Sequence, residues 1–389
     1  MAAVQVPFGG RIDPGFAAVG DAFRANFVPS GERPPDLGAA LCVVVDGAVV
    51  VDCWGGWCDP AMRRPWARDT LVNAYSVLKP VAAVLALLLV EAGELDLDGP
   101  VAAVWPEFAQ AGKAQITLRD VLAHRAGLPG VRAVLPDGAM LDWDTMCEGL
   151  AASRPWWEPE RGHGYHVNTF GFLAGEPVRR HTGSAFGAAL RARMTGPLDL
   201  DLHVGLDAAD LARVADIDAP HRVSEQPHTP VVLTGDEREQ MLLHTYFNPP
   251  GLSGVGIVNT AAWRRSAIPS TNGHATARAV TAFYASLLAG APHAILGPSL
   301  VTEATTPHSE GHDLVLDRPT RFGLGFALHQ DERPVGTTPA AFGHYGYGGS
   351  LGFADPDANI AFAYLINRPG DRWQNPHTKG LLDAARSCL

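Results

Sequence analysis

The tetrapeptide Ser76-Val77-Leu78-Lys79 lies where a strand-rich N-terminal stretch gives way to the apolar run Val81–Val90. This continuous apolar run predicts a buried helix. It is far too short to span a membrane. In a helix, a lysine three residues after a serine lies on the same face, and a serine at the helix start lies at the positive end of the helix dipole. A serine hydroxyl becomes a good nucleophile only when a neighbouring group accepts its proton. The spacing therefore predicts an activated serine, with a helix-capping serine and a solvated lysine as the alternative.

Strand patterns occur at both ends of the chain, and helical patterns occur between them. Ala39–Trp57 predicts a β-hairpin with Asp46-Gly47 as its turn. The predicted C-terminal elements are strands at Phe322–Leu328, Ala341–Gly346, Leu351–Ala354 and Ile360–Ile366 and a last helix at Lys379–Ser387. Further helices are predicted at Thr117–Arg125, Trp143–Ala152, Thr169–Arg180, Phe186–Met194 and Ala275–Ala289, with a kink or an end expected at Pro177.

This order of patterns predicts an α+β fold. One antiparallel sheet, built from both termini and flanked by helices, would carry an inserted and mainly helical lobe. We assign residues 1–66 and 291–389 to the sheet lobe and residues 67–290 to the helical lobe, which suits a chain of 389 residues. Residues 200–260 are rich in proline, glycine and aspartate, and we expect long loops there that shape a cleft.

The charge and cysteine content argue against several classes of protein. Lysine plus arginine number 30 and aspartate plus glutamate 41, so the net charge of −11 disfavours nucleic acid and anionic membranes as partners. The five cysteines show neither a disulfide nor a zinc spacing, and we interpret them as reduced thiols. The sequence does not open on a basic and apolar leader. Together these features predict a cytoplasmic protein.

Tyr165 is the second candidate for chemistry. It lies in the segment Gly164–Thr169, after the proline-containing stretch Trp157-Glu158-Pro159, which suggests a loop tyrosine held in a cleft. A phenol near one or two ammonium groups ionises more readily, because an opposite charge lowers its pKa. Such a tyrosine would take the proton of Ser76 and return it to a leaving group. The alternative is a tyrosine packed in an ordinary loop.

The third candidate is the glycine-rich segment Phe342–Ser350. Glycines in a strand permit another group to approach the backbone closely. The edge of this strand would offer an N–H group to an acyl oxygen and form an oxyanion hole together with the N–H of Ser76. The alternative is a glycine-rich bulge between two strands.

Two further motifs are interpreted as structural. Gly348-Gly349-Ser350-Leu351-Gly352 fits the nucleophile elbow of α/β-hydrolases, but that elbow needs a helix after the serine, and here a turn and another strand are predicted. Asp371 and His377 are the downstream candidates for its acid and histidine.

In the segment that follows the helix capped by Thr117, Gly127 is interpreted as the helix cap and His124 as a buried structural histidine.

In their order, these motifs resemble those of the serine β-lactamase and DD-peptidase superfamily, the penicillin-recognising serine hydrolases. The likeness is greatest to the family VIII carboxylesterases, which are related to class C β-lactamases, and it runs from about residue 10 to the C-terminus. The matching stretches are Asp69–Asn73, Ser76-x-x-Lys79, Gly93–Asp98, His124-x-x-Gly127-Leu128-Pro129, Tyr165-His166-x-x-Thr169-x-Gly171, Ile268–Gly273 and Gly343-His344-x-Gly346-x-Gly348-Gly349-Ser350-x-Gly352-Phe353. Several motifs in one order are far more specific than any one of them.

The resemblance implies a β-lactamase/DD-peptidase-like fold and a serine hydrolase that needs no metal and no cofactor. Ser76 matches the nucleophile, Lys79 its activating partner, and Tyr165 the tyrosine that works as general base and then as general acid. The backbone N–H groups of Ser76 and Tyr347 would form the oxyanion hole. The strand His344-Tyr345-Gly346 takes the place of the Lys-Thr-Gly strand of lactamases and would bind the substrate.

Three positions depart from the lactamase pattern. Where lactamases carry an asparagine that holds the antibiotic's amide, two residues after the tyrosine, this chain has Val167. Where a strand lysine pairs with the antibiotic's carboxylate, this chain has His344, which is largely neutral at pH 7 if unperturbed. Glu160 stands where the family usually shows glycine. Val167 and His344 both weaken the binding of a lactam. They therefore favour a neutral ester as the substrate that Val167 and the strand His344-Tyr345-Gly346 would bind.

The sequence therefore predicts a carboxylesterase that hydrolyses short-chain esters through an acyl-enzyme on Ser76, with weak or no β-lactamase activity. Its partner would be a small-molecule ester rather than nucleic acid or a membrane. An amide or peptide hydrolase or an acyltransferase on the same site stays open, as does a penicillin-binding protein with little turnover. Acyl chain length, the physiological substrate and the oligomeric state do not follow from the sequence.

Overall fold

The structure, a computed structural model, describes residues 5–30, 34–219, 236–254, 256–371 and 373–389. The strands are β1 Phe8–Ile12, β2 Gly38–Val45, β3 Ala48–Gly56, β4 Val72–Asn73, β5 Leu202–His203, β6 His274–Ala275, β7 Ser309–Asp313, β8 Arg318–Phe322, β9 Ala327–Leu328, β10 Phe342–Tyr345, β11 Leu351–Asp355 and β12 Ile360–Ile366. The helices are α1 Ala17–Ala25, α2 Lys79–Glu91, α3 Leu118–Leu122, α4 Trp143–Ala152, α5 Phe170–Thr182, α6 Phe186–Leu190, α7 Glu237–Phe247, α8 Ala261–Arg265, α9 Ala277–Ala285, α10 Pro298–Thr305 and α11 Pro376–Cys388.

Nine of the described strands form one antiparallel sheet in the order β1-β3-β2-β12-β11-β10-β9-β8-β7. At its centre β2, from the N-terminal part, pairs with β12, from the C-terminal part, between Ala39–Ile366 and Val45–Ile360. Both strands are almost wholly buried, because each is apolar on its two faces and the sheet is covered on both sides. The prediction of an α+β fold with one sheet built from both termini is confirmed.

Each face of the sheet has its own apolar core. On one face α1 and α11 pack against inward-facing residues of β2, β3, β11 and β12. On the other face lie α2, α9 and the helical part of the chain, which share a second and larger core. Residues 79–87 of α2 are all buried, as its apolar run predicts. Among the described helices, none has the length and apolar character needed to cross a membrane.

The turn chemistry read from the sequence agrees with the structure at two points. Asp46 and Gly47 have φ values of 51° and 76°, as a two-residue hairpin turn with right-handed strand twist requires. Thr117 caps α3 by accepting from the N–H of Asp120, whose carboxylate accepts from the N–H of Thr117 in return. All five cysteines are free.

The strands predicted from the C-terminal sequence were wrong at one edge of the sheet. The predicted strand Phe322–Leu328 is two strands, β8 and β9, because the chain bends at Gly323 and Gly325, and Gly325 has a φ of 83°. Strand β7 was missed, since Ser309–Asp313 is polar and lacks the apolar alternation of a half-buried strand.

Several predicted helix bounds also need correction. Helix α5 runs through Pro177 to Thr182, because its residues up to Val178 are buried and their packing outweighs the hydrogen bond lost at the proline. Helix α3 ends at Leu122, and His124, with a φ of 60°, turns the chain before Gly127. The last helix begins at Pro376, and the region expected to be loops contains α7. Residues 220–235 of that region lie outside the described residues.

Candidate active site

Ser76 lies in a 3₁₀ turn, Tyr75–Leu78, that leads directly into α2. Tyr75 has a φ of 51°, in the left-handed region that residues other than glycine rarely adopt. Such strain persists only where the surrounding packing holds it, and it occurs often at functional sites. Ser76 is 9% exposed and lines a large cavity. The turn thus presents one hydroxyl to the cavity from an otherwise buried segment.

Lys79 is fully buried, and its amine contacts three oxygens. Its Nζ atom lies 3.0 Å from Ser76 Oγ, 2.6 Å from the carbonyl oxygen of Val167 and 3.1 Å from that of Ser270. Burial lowers the pKa of Lys79 well below its usual range, which favours the neutral amine. A neutral amine has two N–H donors and one lone pair. When the amine is neutral, the two carbonyls accept its N–H donors and its lone pair is left for the proton of Ser76.

Tyr165 is also fully buried and lines the same cavity. Lys79 Nζ lies 4.8 Å from the centroid of its ring. Burial raises the pKa of Tyr165 above its usual value, and the nearby Ser76 hydroxyl offsets only part of that rise. The phenol is therefore protonated, in contrast to the expected phenolate. Within the described part of the chain, its hydroxyl has no well-formed hydrogen bond.

Aromatic rings and one carboxylate position Tyr165. Its ring stacks on Phe322 at 5.9 Å and on His344 at 5.6 Å, and Trp373 meets it edge-on at 5.4 Å. Its backbone N–H lies 3.1 Å from both carboxylate oxygens of Asp313. These contacts fix the ring and place its hydroxyl beside Ser76.

In the strand predicted to bind substrate, Tyr345 faces the cavity but His344 does not, contrary to the prediction. Tyr345 lines the cavity, whereas the adjacent His344 is 1% exposed and lies against Tyr165, on the other face of β10. Burial lowers the pKa of His344 to about 3, so its ring is neutral. The structure therefore does not bring His344 to the cavity wall that the described residues form.

Gly346 permits β10 to approach the nucleophile turn closely. A Cβ atom on Gly346 would lie 2.7 Å from the carbonyl oxygen of Ala74 and 3.0 Å from Val77 Cγ2. No side chain fits in that gap, and this is the close backbone approach that the glycine-rich segment predicts.

The two proposed oxyanion-hole residues lie at the starts of neighbouring turns. Ser76 is the second residue of its turn, and Tyr347 is the first residue of the 3₁₀ turn Tyr347–Gly349. The first N–H groups of such turns have no partner within the turn. The rings of Tyr75 and Tyr347 meet at 5.4 Å, so the two turns lie side by side. This arrangement is able to donate two N–H groups to one acyl oxygen.

Val167 contributes to the site through both its side chain and its backbone. The side chain lines the cavity, and the carbonyl oxygen accepts from Lys79. The asparagine that follows it, Asn168, is fully buried and is bonded to the carbonyl oxygen of Thr245 and the hydroxyl of Ser253. Asn168 therefore does not replace the amide-binding asparagine of lactamases.

Ser350 lies in the core of the sheet. It is 1% exposed, its Oγ accepts from the N–H of Ile366 at 3.2 Å, and strand β11 follows it where an elbow requires a helix. His377, a candidate partner for such an elbow, lies 2.9 Å from Asp36 instead. The Gly-x-Ser-x-Gly match is therefore structural.

Sequence reasoning missed three residues that support the site. Ser270 lies in the Ile268–Gly273 motif, but no role was assigned to it; its carbonyl oxygen accepts from Lys79. Asp313 binds the backbone of Tyr165, and Trp373 packs on its ring. Neither of these two lies in a motif, so no sequence signal pointed to them.

The cavity that holds Ser76 has a volume of about 1220 Å³. Its walls combine apolar and aromatic side chains with a smaller number of charged groups. The apolar and aromatic set includes Tyr246, Phe247, Leu252, Val258, Leu316 and Trp373. A concave site of this kind, with both apolar and charged walls, suits a small organic molecule that also carries a polar group.

Comparison with known proteins gives one consistent result. The Beta-lactamase family model matches residues 23–385. Esterase/beta-lactamase LipL of Mycobacterium tuberculosis (strain ATCC 25618 / H37Rv) is 36% identical over 371 residues, which cover 92% of this chain and 82% of LipL. A penicillin-binding protein homologue from Caulobacter crescentus is 36% identical and a family VIII carboxylesterase 34% identical; each solved structure has a TM-score of 0.86 and covers 98% of this chain and 100% of its own.

The predicted resemblance to this superfamily is confirmed. The sheet built from both termini and the helices around it form a β-lactamase/transpeptidase-like fold, shared with solved esterase and penicillin-binding protein structures. Esterases are among the relatives that match over most of the chain. The chain therefore belongs to the Beta-lactamase family, as a serine hydrolase with esterase homologues.

Proposed function

We propose that the protein is a carboxylesterase that hydrolyses short-chain esters through an acyl-enzyme on Ser76. The observation that carries this proposal is the 3.0 Å contact between Ser76 Oγ and the fully buried amine of Lys79, whose pKa burial lowers. A neutral amine with a free lone pair accepts the serine proton as the hydroxyl attacks. The similarity to LipL, which is named an esterase/beta-lactamase, supports the same reaction class.

Acylation begins when Ser76 Oγ bonds to the ester carbonyl carbon and its proton passes to Lys79 Nζ. The carbonyl oxygen becomes an oxyanion, which the N–H groups of Ser76 and Tyr347 stabilise. The bond to the alcohol oxygen then breaks, and the Tyr165 hydroxyl donates its proton to that oxygen. The proton held on Lys79 restores the phenol, so both groups return to their neutral state.

Deacylation repeats these steps with water in place of the alcohol. The water oxygen bonds to the acyl carbon while Lys79 takes its proton. The bond to Ser76 Oγ breaks, and the serine oxygen receives that proton. The products are a carboxylic acid and the free enzyme.

Two residues support an ester rather than a lactam as the substrate. Val167 has no side-chain group to bond the amide of an antibiotic. The neutral ring of His344 gives no positive charge to an antibiotic's carboxylate. A hydrogen bond between neutral groups contributes about 0.5–1.5 kcal/mol and one to a charged group about 1.5–3 kcal/mol, so these losses together reduce lactam turnover by about two orders of magnitude.

The test compares kcat/KM for p-nitrophenyl butyrate, the matching anilide and nitrocefin. We expect rapid multiple turnover of the ester, which a penicillin-binding protein that only acylates would not show, and little or no turnover of nitrocefin. Ser76→Ala is the control for background hydrolysis. A nitrocefin value within tenfold of the ester value would overturn the proposal in favour of a β-lactamase. An anilide rate equal to the ester rate would favour an amide hydrolase.

A further inference from the structure

Arg318, the first residue of β8, lines the cavity that contains Ser76. Its side chain is partly buried, and its guanidinium lies 5.2 Å from the centroid of the Trp373 ring. Within the described ranges of the chain it makes neither a hydrogen bond nor an ion pair. Arginine stays charged in proteins and carries five N–H donors. The cavity wall thus holds a cation whose donors are unfilled.

The carboxylates that line the cavity lie near basic side chains other than Arg318. Three carboxylates line the same cavity, and each lies within 4 Å of a basic side chain: Asp383 with Arg386 at 3.0 Å, Asp331 with His329 at 3.8 Å and Glu332 with Arg333 at 3.9 Å. Asp313, across from Arg318 in the β7–β8 pair, is filled by four other donors. Arg318 is therefore available to a ligand.

The position of Arg318 relates it to one part of the substrate. Trp373 contacts both Arg318 and Tyr165, with its ring 5.4 Å from that of the tyrosine. In the proposed mechanism Tyr165 donates its proton to the alcohol oxygen. Groups that extend from Tyr165 past Trp373 therefore face the alcohol part of the ester.

We propose that Arg318 binds a carboxylate on the alcohol part of the substrate, so the preferred substrates are acylated hydroxy acids. This inference depends on the proposed esterase function. A planar guanidinium binds a carboxylate through two parallel N–H···O bonds, which fixes the orientation of the leaving group. A lactam carries its carboxylate next to the lactam nitrogen, beside the strand position that neutral His344 fills. Arg318 contacts Trp373, which in turn contacts Tyr165, and so suits a carboxylate carried by the alcohol part of the ester.

The test uses 4-(butyryloxy)benzoate and its neutral analogue 4-(butyryloxy)benzamide, with rates normalised to alkaline hydrolysis. We expect the wild-type enzyme to favour the carboxylate by at least about tenfold in kcat/KM, mainly through KM, and 0.5 M NaCl to reduce this preference. Arg318→Met removes the preference and leaves hydrolysis of the benzamide unchanged. Arg386→Met is the matched control, since Arg386 lines the same cavity but pairs with Asp383, and we expect it to keep the preference.

Any result that differs from these expectations refutes part or all of the proposal. Equal use of the two esters by the wild-type enzyme, or an unchanged preference in Arg318→Met, refutes the carboxylate site and leaves the esterase function standing. The enzyme could instead prefer p-nitrophenyl hemiglutarate over p-nitrophenyl butyrate and show no preference within the benzoate pair. Arg318 would then bind a carboxylate on the acyl part, which refutes its assignment to the alcohol part. Hydrolysis of neither ester refutes this inference and the proposed function together.

Discussion

The carboxylate of Asp313 binds the backbone of Tyr165 across a sequence separation of 148 residues, with both oxygens 3.1 Å from the amide nitrogen. The same carboxylate accepts from the N–H groups of Val315 and Leu316 and from the hydroxyl of Thr320. A buried carboxylate has room for about four donors, and here all of that capacity is used. The loop that carries Tyr165 is thereby joined to the turn between β7 and β8, so the position of the phenol depends on that turn.

Asp313→Asn tests this dependence. The new amide nitrogen would face N–H donors, which leaves buried polar groups unpaired and lowers the free energy of unfolding by about 1–3 kcal/mol. Displacement of Tyr165 should lower kcat with little change in KM. Urea unfolding and steady-state kinetics on p-nitrophenyl butyrate measure the two effects. Asp317→Asn, at an exposed residue of the same turn, is the control, and an unchanged kcat in Asp313→Asn would contradict the positioning role.

Ser76→Ala should abolish ester hydrolysis, whereas Ser350→Ala should retain most of it. The reason is that Ser350 is buried in the sheet and bonded to the backbone of Ile366, while Ser76 lines the cavity beside Lys79. Mass spectrometry after incubation with a phosphonate ester identifies the labelled serine. A labelled peptide that contains Ser350 would refute the mechanism.

Tyr165→Phe should reduce kcat by at least about a hundredfold, the usual effect of losing a general acid or base. Lys79→Ala should be comparably severe, and the double variant should be little worse than either single one, because the groups act as one unit. Circular dichroism and thermal unfolding check that the variants fold. Near wild-type turnover by Tyr165→Phe would leave Lys79 as the sole proton carrier.

The activity should depend on pH through Lys79. The active form is the neutral amine, so kcat/KM falls as pH decreases through the pKa of Lys79, which burial lowers well below its usual range. Burial raises the pKa of Tyr165, so loss of its proton occurs above the usual range of tyrosine. The profile should therefore reach its plateau at a pH well below the ordinary range of lysine. A rate that rises only near pH 10, the ordinary range of lysine at about 10.4, would show that Lys79 stays charged in the free enzyme.

Two glycines give a matched test of stability. Gly349 has a φ of 121°, and a Cβ atom there would lie 1.9 Å from Asn375 Nδ2, the side chain that caps α11. Gly349→Ala should therefore lower the melting temperature and reduce activity, since the same turn carries Tyr347. Gly380 lies within α11 with open space around it, so Gly380→Ala should stabilise by about 0.5–1 kcal/mol. Equal melting temperatures for the two variants would contradict this account.

The sequence predicts the central strands well, but it does not reveal the residues that position Lys79 and Tyr165. β2, β3 and β12 are apolar runs with clear turns, and the motif residues Ser76 and Lys79 meet as their spacing predicts. β7 is polar, so pattern reasoning does not find it. The division into lobes at residues 1–66, 67–290 and 291–389 and the cytoplasmic location stay predictions.

The electrostatics of the site also escape sequence reasoning. The pKa directions of Lys79 and Tyr165 arise from burial, which depends on how distant segments pack around them. A local pattern with a tyrosine near a lysine predicts a phenolate, whereas the packed structure keeps the phenol protonated. The same holds for Asp313, whose role appears only when the chain brings it to Tyr165.

The pairing of β2 with β12 has a consequence for biosynthesis. The N-terminal hairpin and Ser76 leave the ribosome early, yet β2 acquires its central neighbour only after Ile360–Ile366 has been synthesised. Until then an apolar strand edge stays open, and closing so long a loop is slow and exposes the chain to aggregation. Because Gly346 packs on the turn of Ser76 only at that stage, the nucleophile stays unassembled until nearly the whole chain has been made, and nascent fragments that end before β10 should be inactive.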